Sequence, residues 1–325
     1  MTENRIKFGI IGTGGIAVDA HGPALLASEK ACLTSVLSRS GAKAEKFAGK
    51  YKTSTATVSA YDSLDSFLAD PALDAVIVTV PDKLHFQYAH AALLAGKHVL
   101  VEKPMCTQLD QAISLNEYAE SKRLVLGVGF HLRFHPGVEK ILELVANDEL
   151  GTLRHIVAQW TFYRSDSSDW RASNELGKWW SLAGTGSHCI DLCHRVAETA
   201  GLTCESITGM ISGGVHTAAT DESATVMVSY TGTCSAVITS SVLFDAPTIF
   251  NIYGDKGYIE TSGLLGRRSN SPIYLNGTQV PYSIGDPFVN QIDSFCRAIK
   301  LNSVFDSDGS VGVQGVRNLI KLTKQ

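Results

Sequence analysis

The N-terminal strand and the glycine-rich turn after it constrain the fold more than any other feature of this chain. Residues 6–11 read Ile-Lys-Phe-Gly-Ile-Ile, a mostly apolar run typical of strands buried on both faces of a parallel sheet. The turn at residues 12–17 follows at once, and helix-compatible sequence continues to Leu26. Strand, turn and helix in this order predict the phosphate-binding part of a doubly wound α/β domain.

The turn has the pattern G-x-G-x-x-A, and each small residue in it has a physical reason. Gly12 permits the tight turn, Gly14 lets the backbone approach a pyrophosphate, and Ala17 lets the helix pack closely on the strand. The helix N-terminus then offers N–H groups and the positive end of its dipole to the phosphates. We therefore expect a dinucleotide to bind at Gly12, Thr13, Gly14, Gly15, Ile16 and Ala17.

The end of the second predicted strand, residues 33–38, selects between the two nicotinamide cofactors. A carboxylate there would bond the ribose 2′-hydroxyl of NAD, but this chain has Ser38, Arg39 and Ser40, with Lys43 nearby. A guanidinium and two hydroxyls suit a 2′-phosphate. The sequence therefore favours NADP, with NAD as the alternative if Arg39 is only a solvated loop residue.

Strands and helices continue to alternate up to residue 128. Strands are predicted at residues 75–79, 98–102 and 124–128, with helices between them, which implies right-handed βαβ units. Ligands bind at the carboxyl ends of such strands, which selects residues 12–17, 79–82 and 102–104. Lys103 lies at this edge, where partial desolvation moves a lysine pKa easily, although a surface lysine after a strand is the alternative.

The second half changes to period-two alternation from Leu153. Further strands are predicted at residues 206–211, 224–230, 234–242 and 249–252, and their short spacing favours antiparallel pairing. The expected fold is thus α/β: an N-terminal Rossmann doubly wound parallel sheet (1–128), then a C-terminal α+β domain with a large open, mostly antiparallel sheet (129–325). Terminal helices at 288–299 and 311–322 are expected to pack back on the first domain. Apolar residues on the outer sheet face predict a homodimer or homotetramer.

Composition excludes several classes of protein. A formal net charge of −4 argues against nucleic-acid binding, which needs a basic surface. No apolar stretch reaches the roughly 20 residues of a transmembrane helix, so no membrane association is expected. Seven cysteines, an odd number without C-x-x-C spacing, fit free thiols in the cytoplasm.

The richest polar segment of the second half surrounds a predicted helix that carries His188, Asp191 and His194 at intervals of three. Together with Cys189 and Cys193 these residues are plausible metal ligands. However, ligands within one helix usually form an i, i+4 pair completed elsewhere, and buried cysteines are common core residues. We therefore predict no metal site.

Several segments together resemble the glucose–fructose oxidoreductase / inositol dehydrogenase (Gfo/Idh/MocA) family. They are the opening Gly-Ile-Ile-Gly-Thr-Gly, Thr79-Val80-Pro81 with His85, the run from Ala95 to Pro104 that ends in Glu-Lys-Pro, Gly186-Ser-His-Cys-Ile-Asp191, and Gly254-Asp-Lys-Gly257. The resemblance covers about residues 5–310 and implies a Rossmann domain followed by an open sheet domain. It also implies oxidation or reduction of a secondary alcohol or ketone on a sugar, cyclitol or similar compound.

The resemblance also implies roles for individual residues. Lys103 contacts the reacting hydroxyl, its peptide bond to Pro104 is often cis, and Glu102 orients it. His188 transfers the proton, and Asp191 supports it. Cofactor contacts are expected at Thr79, Pro81, His85, Glu102 and Lys103, and substrate contacts at His131, Tyr163, Arg171 and Trp179 (through its indole N–H), although Arg171 and His131 are equally readable as structural residues.

The chain departs from the family pattern at Gly184, where many members have an aspartate one turn before the histidine. Asp191, Asp166 or Asp169 are the candidates to replace it, and a shifted register would pair Asp191 with His194 instead. We expect a dehydrogenase for sugars or polyols, including cyclitols. The alternatives are a redox-assisted enzyme that cleaves glycosides with tightly bound cofactor, and a cofactor-sensing protein with impaired catalysis.

Overall fold

The computed structural model describes residues 5–52, 57–267 and 269–323, which form two compact units. The first unit contains the described residues up to Gly129 together with Phe288–Val316. The second contains Phe130–Pro287 and the described residues from Arg317 onward. The chain therefore returns to the first unit after completing most of the second.

The first unit is built on a six-stranded parallel sheet. Its strands are β1 (Ile6–Ile11), β2 (Ala31–Leu37), β3 (Ser59–Tyr61), β4 (Ala75–Val78), β5 (His98–Val101) and β6 (Leu126–Val128). Their spatial order is β3-β2-β1-β4-β5-β6, so the order reverses between β1 and β4. This is the doubly wound sheet that the sequence predicted, and such sheets bind ligands at the reversal point.

Helices alternate with these strands. They are α1 (Gly22–Ala27), α2 (Gly41–Tyr51), α3 (Leu64–Leu68), α4 (His85–Leu94) and α5 (Leu109–Lys122). The α4 helix ends just before Gly96, which adopts a φ of +73° that other residues rarely adopt. The glycine turn enters α1 through a π-helical turn at Ala17–His21, which the sequence did not reveal.

The second unit contains an eight-stranded sheet. Its strands are β7 (Leu153–Thr161), β8 (Cys204–Ser212), β9 (Ser223–Tyr230), β10 (Cys234–Ser241), β11 (Ile249–Gly254), β12 (Tyr258–Thr261), β13 (Ile273–Leu275) and β14 (Thr278–Val280), in the order β14-β13-β12-β11-β7-β10-β9-β8. All neighbours are antiparallel except β7 and β10. The sheet is thus mostly antiparallel, as predicted, and its parallel pair joins strands that are far apart in sequence.

Two helices, α6 (Pro136–Ala146) and α7 (Ser187–Thr199), share a hydrophobic core with one face of this sheet. Strand β9 shows the alternation: Val226 and Val228 are buried in that core, whereas Met227 is exposed on the opposite face. The chain ends in α8 (Pro287–Leu301) and α9 (Gly309–Thr323). No helix within the described ranges is long and apolar enough to cross a membrane.

Candidate active site

The glycine turn closes against the end of β4. Gly12 adopts a φ of +103°, and a side chain there would place its Cβ 2.9 Å from the hydroxyl of Thr79. That hydroxyl donates a hydrogen bond to the carbonyl of Ile11 at 2.9 Å. In contrast, a Cβ at Gly14 would meet nothing within 4 Å. The turn is therefore pinned on one side and has free space beside Gly14, as a pyrophosphate-binding turn requires.

The end of β2 lies beside this turn. The hydroxyl of Thr13 donates to that of Ser38 at 3.3 Å, and Arg39 next to it is exposed. Helix α2 starts directly after Ser40, whose side chain makes no capping hydrogen bond among the described residues. This corner thus offers hydroxyls, a guanidinium and a helix N-terminus, which is a donor set suited to a phosphate monoester.

His85, at the start of α4, contacts main chain on both sides. Its Nδ1 lies 2.7 Å from the carbonyl oxygen of Pro104, and its Nε2 lies 2.8 Å from that of Val80. The ring is buried. His85 therefore ties together the loops after β4 and β5, both of which were predicted to contact cofactor.

The segment Glu102-Lys103-Pro104 follows β5 at the carboxyl edge of the sheet. The Lys103–Pro104 peptide is cis. Both Glu102 and Lys103 are buried, and the Lys103 N–H donates to Oε2 of Glu102 at 3.2 Å. The other oxygen, Oε1, lies 2.8 Å from Nε2 of His21. Glu102 therefore has both carboxylate oxygens engaged by the protein.

In the second unit, His188 lies within a group of aromatic rings. Its ring centroid lies 4.8 Å from that of His131, 5.5 Å from that of Trp160 and 5.7 Å from that of Phe130. Both histidines are buried. The structure therefore brings together two residues that the sequence predicted separately, one for proton transfer and one for substrate binding.

A second π-helical turn, Leu182–Gly186, leads directly into α7 and His188. Gly184 lies inside it, and a Cβ there would meet only the ring of Phe162, at 3.7 Å. That is ordinary van der Waals contact, so steric crowding does not explain the glycine. Like the turn before α1, this turn adjoins predicted site residues, where π-turns are often found.

Asp221 holds the start of this turn. Its carboxylate accepts hydrogen bonds from the main-chain N–H of Trp180 and Leu182 and from the hydroxyl of Ser181, at 2.6–2.8 Å. Burial raises the pKa of this carboxyl. The sequence pattern gave no indication that Asp221 belongs to the site, because it is 33 residues away from His188 in sequence.

Asp191 and His194, on later turns of α7, are bound to other protein groups. Asp191 forms a buried ion pair with Arg133, with Nη2 to Oδ1 at 2.8 Å. His194 lies 3.0 Å from the hydroxyl of Tyr230 and 2.9 Å from the amide of Asn318. Burial lowers the pKa of His194 to about 4, so it is neutral at pH 7. A neutral ring with two protein partners is typical of a structural histidine in the core. His188 is therefore the better candidate for proton transfer than His194.

Cys189 and Cys193, on the same helix, are buried free thiols. Burial raises the pKa of Cys189 to about 12. Within the described ranges, no group of three or more histidine, cysteine, aspartate or glutamate side chains is arranged to hold a metal ion.

The loop after β7 contains the remaining predicted substrate residues. Tyr163 is 60% exposed, and the guanidinium of Arg171 lies 4.1 Å from the ring centroid of Trp170. Trp179 packs in the core, and its indole N–H donates to the hydroxyl of Thr323 at 3.2 Å. That N–H therefore has a protein partner. The adjacent Trp180 is also buried, in a smaller apolar cluster with Ala172 and Val242.

Asp166 and Asp169, which were considered as replacements for the carboxylate absent at position 184, lie in the same loop after β7. Asp166 is exposed, and hydrogen bonds from the side chain and then the N–H of Ser168 lower the pKa of its carboxyl. Asp169 accepts from the N–H of Arg171 at 3.0 Å. Both carboxylates thus stabilise turns within their own loop.

Comparison with known proteins assigns both halves of the chain to domains of one family. Residues 6–130 match the model of an oxidoreductase family with an NAD-binding Rossmann fold, GFO_IDH_MocA, and residues 138–260 match the GFO/IDH/MocA C-terminal domain. An aldose-aldose oxidoreductase from Caulobacter crescentus, whose structure contains glycerol, superposes with a TM-score of 0.88 over 98% of this chain and 97% of its own. At 20% identity this likeness shows a shared fold.

Two curated relatives are more similar in sequence. D-xylose 1-dehydrogenase (NADP(+)) 2 from Haloferax volcanii is 38% identical over 50% of this chain and 49% of its own length. The dTDP-3,4-didehydro-2,6-dideoxy-alpha-D-glucose 3-reductase from Streptomyces antibioticus is 32% identical over 54% of this chain and 52% of its own length. The chain thus spans about half the length of these curated relatives.

Proposed function

The chain belongs to the GFO/IDH/MocA oxidoreductase family, and on this basis we propose that it is an NADP-preferring dehydrogenase or reductase. It acts on a secondary alcohol or ketone of a sugar, polyol or cyclitol. The observation that carries the proposal is the position of Lys103, a buried lysine directly after β5 whose main chain is held by Glu102. A buried ammonium at the carboxyl edge of a doubly wound sheet suits a developing alkoxide.

The cofactor fits the residues of the first unit. Gly12 to Ala17 hold the pyrophosphate, and Ser38, Arg39 and Ser40 hold the 2′-phosphate of NADP. Support comes from the space beside Gly14 and from the exposed guanidinium of Arg39. When bound, the nicotinamide accepts a hydride at C4 or returns it. The name of the Haloferax volcanii relative specifies NADP, which agrees with this preference.

In the oxidation direction, His188 takes the proton of the substrate hydroxyl as general base. The ammonium of Lys103 stabilises negative charge that develops in the transition state. The hydride leaves from the carbinol carbon, so that one alcohol and one oxidised cofactor give one ketone, one reduced cofactor and one proton. Asp191 supports His188 by fixing α7 through its ion pair with Arg133.

The substrate is a neutral sugar or polyol, held by hydrogen-bonding groups near His188. His131 is the best placed of these, with its ring centroid 4.8 Å from that of His188. Tyr163 and Arg171, on the loop after β7, are further candidates. The printed names of the xylose and dTDP-sugar relatives support a carbohydrate substrate.

The test is a panel of sugars and polyols assayed with NADP and with NAD, preceded by a thermal-shift screen for NADP binding. The proposal predicts reduction of NADP by at least one neutral sugar or polyol. Activity without added cofactor, together with copurified cofactor, would favour the glycoside-cleaving alternative. Tight NADP binding without turnover on a broad panel would favour a cofactor sensor. The reason for keeping this alternative is Gly184, the departure from the family pattern described above.

We further propose a homodimer or homotetramer that associates through the outer face of the eight-stranded sheet. Met210 and Met227 on that face are 77% and 55% exposed. A cytoplasmic location fits the seven free cysteines. Analytical ultracentrifugation of the wild type and of Met227→Glu tests the assembly, since a charge on this face would weaken it.

A further inference from the structure

His21 is a buried histidine that the proposed reaction does not use. Its Nε2 lies 2.8 Å from Oε1 of Glu102, and neither residue is more than 8% exposed. It is the last residue of the π-helical turn Ala17–His21, directly after the glycine turn. The contact therefore joins the segment that starts at the glycine turn to the segment that carries Lys103.

The surroundings of His21 fix the direction of this hydrogen bond. Nδ1 of His21 is buried and has no hydrogen-bond partner among the described residues, and the Phe288 ring lies nearly perpendicular to the imidazole at 5.4 Å between centroids. Because an ionised carboxylate oxygen can only accept, Nε2 carries the proton of this contact and donates it to Oε1 of Glu102.

The Glu102 carboxylate is confined on three sides. Oε1 accepts from His21, Oε2 accepts from the N–H of Lys103 at 3.2 Å, and Gly129 lies against its carboxyl carbon. A Cβ at position 129 would lie 3.0 Å from that carbon, which is tighter than ordinary contact. The absence of a side chain at Gly129 thus leaves space for the Glu102 carboxylate, and these two hydrogen bonds orient the carboxylate.

We propose that His21 is a positioning residue for Lys103. It acts through Glu102: the histidine orients the carboxylate, and the carboxylate holds the main chain at Lys103. Removal of the imidazole donor takes away the 2.8 Å hydrogen bond that orients Oε1, and the carboxylate is then less constrained. The inference rests on the proposed function only in assigning Lys103 to the reaction, since the hydrogen-bonded chain itself is a structural fact.

The experiment compares His21→Phe, which keeps the ring shape but removes the donor, with His21→Gln, which keeps a donor near the Nε2 position. We expect His21→Phe to lower kcat at least about 10-fold while the KM for NADP changes little, because misplacement of a reacting group lowers turnover steeply. His21→Gln should restore kcat to within about 3-fold of the wild type. His98→Leu, a change at another partly buried histidine of the same unit, is the matched control.

A second readout does not depend on activity. Acetylation of Lys103 by acetic anhydride, followed by mass spectrometry, reports how accessible its side chain is. We expect His21→Phe to speed acetylation of Lys103 several-fold relative to the exposed Lys46, whereas His21→Gln and His98→Leu leave the ratio unchanged. If His21→Phe fails to fold, the smaller His21→Asn, whose side chain is too short to reach Glu102, replaces it in both assays.

The outcomes separate this inference from the proposed function. Wild-type kcat and unchanged Lys103 acetylation in a folded His21→Phe or His21→Asn protein would overturn the positioning role, even if Lys103→Ala abolishes turnover. Equal loss of kcat in His21→Phe and His21→Gln would also overturn it. If the wild type oxidises no sugar but the acetylation pattern changes as expected, the hydrogen-bonded chain stands and the proposed reaction is wrong.

Discussion

The guanidinium of Arg133 contacts both carboxylate oxygens of Asp191, with Nη2 2.8 Å from Oδ1 and Nε 2.9 Å from Oδ2. Asp191 lies one turn after His188 on α7, and Arg133 belongs to the 3₁₀ turn His131–Phe134. One buried ion pair thus fixes the two segments that carry His188 and His131. The ion pair therefore helps to keep the His131 and His188 rings in contact.

Removal of one member of this pair should destabilise the protein strongly. Asp191→Asn removes the negative charge of this pair, and breaking a buried pair in this way costs about 3–5 kcal/mol. Urea unfolding followed by circular dichroism measures the change. The control is Arg154→Ala, which removes an exposed ion pair with Asp255 and should leave the unfolding midpoint unchanged. Equal effects of the two variants would contradict the structural role of Asp191.

Stability should fall in acid because of His194. Its folded-state pKa is about 4, below the ordinary value of 6.5, so the unfolded chain binds more protons between these values. The contribution of His194 to the free energy of unfolding is complete above pH 6.5. It decreases as the pH falls towards 4, by up to about 3 kcal/mol. Urea unfolding measures this loss when it is run at about pH 7.5, above the window between the two pKa values, and at about pH 6 and 5, within it. The His194→Gln variant should show a shallower dependence, and an identical slope would contradict the assignment.

Arg39 should set the cofactor preference. Arg39→Asp places a carboxylate where the 2′-phosphate of NADP is proposed to bind, which weakens NADP binding and favours the ribose hydroxyl of NAD. Dissociation constants from cofactor fluorescence should show tighter NADP than NAD binding in the wild type and a narrowed or reversed ratio in the variant. Lys46→Asp, on the exposed side of α2, is the charge-matched control. Equal constants for both cofactors in the wild type would contradict the NADP preference.

Position 184 should accept a carboxylate side chain. A Cβ there contacts only the Phe162 ring at 3.7 Å, so Gly184→Asp and Gly184→Ala should both fold. Gly184→Ala should raise stability by about 0.4–1 kcal/mol, through reduced freedom of the unfolded chain. Gly184→Asp should raise kcat above that of Gly184→Ala by supporting His188. Identical kinetics of the two variants would show that this chain does not use a carboxylate there.

The Rossmann unit was predictable because its determinants are local. The turn from Gly12 to Ala17 and the fully buried strand Ala75–Val78 each read directly from consecutive residues. The mostly antiparallel sheet followed from period-two alternation. The parallel contact between β7 and β10 did not, because it joins residues about 80 positions apart.

The finer geometry of the site depends on contacts between residues distant in sequence. The link from His21 to Glu102 spans 81 positions, and that from Arg133 to Asp191 spans 58. The two π-helical turns were also missed, since a π-turn has no periodicity of its own in so short a segment. Trp179 shows the same limit: its ring points into the core, towards Thr323, a residue 144 positions away.

The most direct test of the proposed reaction is turnover of the wild type, Lys103→Ala and His188→Ala with NADP and the best substrate of the sugar panel, followed by absorbance of the reduced nicotinamide. The wild type should reduce the cofactor, and each variant should lose at least about 100-fold in kcat, as expected for loss of an acid–base or charge-stabilising group. Near-wild-type turnover of either single variant would contradict the account.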